Sequence, residues 1–196
     1  MPTLSLKERI ELLEADLKAT PMRISAYRDL PFAILRYDPS DEWSMRRETR
    51  RLATRLATVG KDVRFVSLAD LLWRAIEDSE GIDAVIACEH ESGFSAAQAL
   101  VTTYLSDPDW SPLADMLATV MRSLDPQRQI IFLTRAAAMG PAIYHMSSLL
   151  DAMYERRVEV PAILFYPGAL EGTTGLRFMN LKSREALGNY RVKIYG

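Results

Sequence analysis

The chain has 196 residues, 48% of them apolar and 26% charged, with a net charge of -2 at pH 7. Those proportions suit an ordinary globular protein with a full core, and the near-neutral total gives no global electrostatic drive toward nucleic acid or an anionic membrane. The single cysteine, Cys88, excludes an internal disulfide framework and fits a reducing cytosol, so a cytoplasmic protein is expected.

The opening MPTLSLKERIELLEADL has no basic segment leading into an apolar core, so no signal peptide is expected. No apolar run approaches the ~20 residues that span a bilayer. Leu6, Ile10, Leu13 and Leu17 recur at helical spacing with acids between them, which predicts an amphipathic first helix ending at Thr20-Pro21. Met22 to Leu30 reads as a connector. Phe32 to Leu35 reads as a buried strand. Asp38-Pro39-Ser40-Asp41-Glu42 then supplies the proline, serine and acids of a helix start. That helix is expected to run to about Val59 and close at Gly60, with Trp43, Leu52, Leu56 and Val59 facing the core. Its other face is basic: Arg46, Arg47, Arg50, Arg51 and Arg55.

Val63 to Val66 predicts a second strand, and Ser67 a cap for a helix from Leu68 to about Asp78. This strand–helix alternation implies a parallel sheet. Gly81 to Asp107 breaks it: helical spacing predicts two helices around Gly93, with a short strand at Ala84 to Cys88 as the alternative. A further helix follows Pro112. Gln129 to Thr134 is the third strand, and the helix after Gly140-Pro141 turns Ile143, Met146, Leu149, Leu150 and Met153 inward. Val160 to Phe165 is an apolar run bounded by Pro167-Gly168, as in a central strand. Gly168, Gly172 and Gly175 are expected to punctuate a loop. Tyr190 to Tyr195 alternates apolar and basic residues, as an edge strand does. The expected fold is one three-layer α/β domain over 1–196, with a mostly parallel sheet of about five strands, Rossmann-like or P-loop-like without a Walker A motif. Residues 1–30 form an N-terminal helical extension in this scheme, and 81–124 a helical insertion.

Chemistry is sparse. The first βα turn, Tyr37 to Glu42, has no glycine, a proline without an N–H and three acids, which suits helix capping better than phosphate. Cys88, Glu89, His90 and Glu91 resemble metal ligands in composition, yet His145 is the only other histidine and nothing specifies a fourth ligand. No catalytic residue, metal or cofactor is expected. Gly172-Thr173-Thr174-Gly175, with Arg177 nearby, forms either a turn or a small amide nest for an anion. The arginine face at 46, 47, 50, 51 and 55 is either a solvated surface or a contact for an acidic partner or a phosphate backbone.

The run PFAILRYDPSDEWSMRRETRRLATRL, then VSLADLLW, then FYPGALEGTTGLRFMNLKSREALGNYRVKIYG resembles the BrxB family of BREX phage-defence systems, from Pro31 to Gly196. The resemblance implies a small core component of type I BREX, alongside a methyltransferase, a large ATPase and the alkaline-phosphatase-like protein PglZ. It implies a non-enzymatic adaptor that binds PglZ and supports host-DNA methylation or phage restriction, with no family catalytic residues to carry over. A nucleic-acid-binding module and a degenerate nucleotide-binding domain are the alternatives.

Overall fold

The structure, a computed structural model, describes residues 4–25, 30–140, 143–172, 175–181, 190 and 192–196. In chain order its elements are α1 (Leu6–Lys18), β1 (Phe32–Tyr37), α2 (Glu42–Ala57), β2 (Asp62–Ser67), α3 (Leu68–Asp78), α4 (Gly81–Ser92), α5 (Phe94–Ser106), α6 (Leu113–Arg122), β3 (Gln129–Thr134), α7 (Met146–Glu155), β4 (Ala162–Glu171), β5 (Gly175–Phe178) and β6 (Lys193–Tyr195). The strands lie in the order β2-β3-β4-β1-β6, each parallel to its neighbours, and β5 pairs antiparallel with the far end of β4.

Alternation along the strands divides the core in two. Phe32, Ile34, Ile131, Leu133, Ala162 and Leu164 face α3, α5, α6 and α7. Ala33, Leu35, Tyr37, Ile130, Phe132, Ile163 and Phe165 face α1 and α2. β1, β3 and β4 are buried on both faces, which is why their sequences are continuously apolar. Helices α4 to α6 occupy the 81–124 stretch. α4 is helical through Ala84–Cys88, so no strand forms there. It buries no residue fully, whereas α6 buries Leu113, Ala114, Leu117, Ala118 and Met121.

The local signals before α2 and α3 act as caps, Ser67 of α3 itself and Asp38 of the short 3-10 turn Pro39–Asp41 that leads into α2. Asp38 accepts from the Ser40 amide at 2.9 Å, and Ser67 accepts from the Asp70 amide at 3.1 Å. Gly60, at φ +78°, closes α2, with the Lys61 amide donating to Leu56 at 3.1 Å. α1 is held by charge as well as by its apolar seam. Asp16 accepts from Lys193 Nζ at 2.5 Å and from the Tyr195 hydroxyl at 2.7 Å, tying α1 to β6; Glu14 pairs with Arg55 of α2 at 2.7 Å. Burial alone would raise the Asp16 carboxyl, but Lys193, Tyr195 and Arg23 hold it below the usual aspartate range.

Two expectations need correction. The buried seam of α2 is Met45, Thr49, Leu52 and Leu56; Trp43 is 77% exposed and Val59 half exposed. Trp43 precedes Leu52 by nine residues, about 180° around a helix at 100° per residue, so it faces away. Val59 lies beyond the last helical turn. The second correction concerns β4, which does not stop at Pro167-Gly168 but runs to Glu171 and makes a hairpin with β5, giving six strands. Gly168 serves close approach rather than a break: a Cβ there would lie 2.1 Å from the Arg177 carbonyl oxygen.

Candidate docking site

From β1 the chain passes to α2 on one face of the sheet; from β2 and β3 it passes to α3 and α7 on the other. Connections that leave strand ends toward opposite faces open a crevice there. A cleft of about 770 Å³ lies in this place, walled by α2 on one side and by Tyr37, Phe65, Thr134, Arg135 and Phe165 on the other. A smaller hollow of about 230 Å³, between Pro39, Ala69, Ala137, Pro167 and Met179, shares Glu42, Arg46 and Arg135 with it.

The cleft is strongly positive. Its lining carries five guanidinium groups, on Arg46, Arg47, Arg50, Arg51 and Arg135, against one carboxylate, Glu42. Glu42 is already engaged: it accepts from the Tyr37 hydroxyl and from Arg46 Nε, the latter at 2.6 Å. Burial, then the Glu42 carboxylate, push the Tyr37 phenol well above its ordinary range, so it stays protonated and donates. Arg46 also lies 4.7 Å over the Trp43 ring, a cation–π contact that holds the indole out toward solvent. Glu48 is shared by Arg51 at 2.7 Å and Arg47 at 3.9 Å. Arg50 and Arg135 have no ion-pair partner among the described residues. Phe65, 42% exposed, stands edge-on to Phe132 at 5.7 Å and forms the apolar floor near β2.

Four of the five arginines singled out in the sequence thus meet in one cleft. Arg55 does not: it turns to Glu14. Trp43, Phe65 and Arg135 belong to the site and were not expected there. An arginine immediately after an apolar strand, and a tryptophan out of phase with a leucine seam, are the signals that could have found them. Gly172, at φ +65°, turns the β4–β5 hairpin; Thr173 and Thr174 lie outside the described residues. Gly175 opens β5, and Arg177 pairs with Glu171 across the hairpin, so its charge is met internally. Among the described residues no three His, Cys, Asp or Glu side chains converge as metal ligands; Cys88 and His90 lie on α4, and His145 precedes α7. No helix among them is long and apolar enough to cross a membrane.

A family model described as BREX protein BrxB matches residues 64–194, a span that takes in Phe65, Thr134, Arg135 and Phe165 and excludes α2. No curated protein and no solved structure gives a significant match.

Proposed function

This chain belongs to the BrxB family and is a component of a BREX phage-defence system; on that premise we propose that it is a non-enzymatic, cytoplasmic adaptor that binds PglZ and so supports host-DNA methylation or phage restriction. The observation that carries this reading is the cleft beside α2, where an exposed tryptophan stands among five guanidinium groups that outnumber the carboxylates beside them, Glu42 in the lining and Glu48 paired with Arg47 and Arg51. Tryptophan and arginine are the side chains that most often dominate a protein interface, and arginine forks suit the carboxylates of an acidic partner segment. Among the described residues of the cleft, the one lining carboxylate, Glu42, is already held by Tyr37 and Arg46, and the Tyr37 phenol does not ionise near neutrality. This favours holding over turnover.

Co-expression with PglZ followed by size-exclusion chromatography tests the reading. The two chains are expected to elute together at moderate salt and to separate progressively as salt screens the contact. Separate elution at every salt concentration, with both chains folded, would sink it.

A further inference from the structure

We propose that the crevice at the strand ends also takes a nucleotide unit, with its phosphate at the neck between Arg46 and Arg135 and its base in the larger lobe beside Trp43 and Phe65. The site lies outside the carboxyl ends of parallel strands, where the chain departs to both faces, the place where open α/β sheets bind ligands. Its main lobe of about 770 Å³ has the size of a small-molecule pocket. The neck is where the two hollows meet, and it is lined by Glu42, Arg46 and Arg135.

Two of the four non-glycine residues with positive φ among the described residues lie at the same place; the other two are Arg157 and Asn180. Arg135 adopts φ 58° and Met179 φ 51°, left-handed conformations that glycine takes without strain and other residues do not. Both line the smaller hollow. Strain retained in non-glycine residues that share a hollow points to a use for their side chains. Arg135 is exposed and has no ion-pair partner among the described residues, so its guanidinium does nothing for the fold that the structure shows.

The ligand must be anionic and carry a flat ring. Two guanidinium groups at one neck, Arg46 shared with Glu42 and Arg135 without an ion-pair partner among the described residues, match a phosphate. The face of Trp43 that Arg46 leaves open and the exposed part of Phe65 match a base, whose stacking tolerates any sequence. No backbone amide cradle is available at the β1 turn, where Pro39 lacks an N–H and Asp38 caps Ser40. Binding therefore rests on side-chain charge and falls with salt. The unit is either a free nucleotide or one residue of a single strand; both present the same phosphate and base.

Isothermal titration of the full chain at low salt separates these cases. The probes are adenosine and guanosine monophosphate, the nucleosides, inorganic phosphate, a short single-stranded oligonucleotide and a glutamate-rich peptide. A nucleotide is expected to bind at least about tenfold more tightly than its nucleoside or phosphate alone. Tighter binding of the oligonucleotide assigns the unit to a strand; weaker binding assigns it to the free nucleotide. Arg135→Gly removes the guanidinium and relaxes the backbone, so it should raise the melting temperature while weakening the nucleotide about tenfold or more. Phosphate binding as tightly as nucleotide, the peptide binding in preference, or Arg135→Gly leaving affinity unchanged would each overturn the proposal. Capture of PglZ by the parent chain keeps the two readings apart: capture without any nucleotide binding refutes this inference alone, and nucleotide binding without capture refutes the adaptor reading alone.

Discussion

The two ends of α2 carry the same residue type to different purposes. At its C-terminal end Arg55 reaches across to Glu14 and, 40% exposed, clamps α1 onto the sheet's second face. Toward the N-terminal end Arg47, Arg50 and Arg51 lie on the rim of the cleft: Glu48 is shared between two of them, and Arg50 has no ion-pair partner among the described residues. Where α1 runs alongside, its Glu14 meets Arg55. Past the reach of α1, the arginines face open space. One end of α2 is therefore architecture, and the other is surface held ready for something outside the chain.

That contrast can be broken from the core outward. Leu52→Ala empties part of the fully buried seam under α2 and should cost about 3 kcal/mol. Chemical denaturation would register this, and a cost under about 1 kcal/mol would mean that α2 is not seated as described. Asp16→Asn comes next, at about 2 kcal/mol near neutral pH, because it leaves Lys193 and the Tyr195 hydroxyl without their carboxylate. The folded Asp16 carboxyl is held below its unfolded value. Its stabilisation is therefore present above the unfolded pKa of about 3.9 and lost as pH falls through that value and on through the lowered folded one. Melting curves across this acid range should drop more steeply for the parent than for Asp16→Asn; parallel curves would remove Asp16 from the account. Arg55→Ala should have the smallest effect on stability, below about 1 kcal/mol, since Arg55 itself is 40% exposed, Glu14 keeps Lys18 as a partner, and solvent-screened ion pairs contribute little. It should leave partner capture unchanged. Weakened capture would mean that both ends of α2 are interface.

The sequence carried the layers of this fold plainly because burial on both sides writes itself as an unbroken apolar run, as at Ile130–Leu133 and Ala162–Phe165. Helix starts were equally plain, since Ser67 and Asp38 cap by purely local hydrogen bonds. The β4–β5 hairpin was hidden because Gly168 looks like a breaker; its role, making room for the Arg177 carbonyl, exists only once β5 is alongside. Trp43 was misplaced because a large aromatic side chain reads as core, whereas the phase of Leu52 and Leu56 turns it outward and Arg46 covers its ring. The arginine stripe was visible as a stripe. That it parts into a clamp and a cleft depends on where α1 ends up, a tertiary fact that no spacing along α2 contains. Arg135 joins the site only through the parallel register that sets the end of β3 in line with the end of β2.

The central claim is that α2 from Glu42 to Arg51 is a docking surface, and titration calorimetry with purified PglZ tests it most directly. The affinities of the parent chain, of the combined Arg47→Ala, Arg50→Ala, Arg51→Ala variant and of Arg55→Ala would be compared at one salt concentration. The triple variant should bind at least about tenfold more weakly at an unchanged melting temperature, with Arg55→Ala matching the parent. Equal affinity for all three chains would contradict the claim.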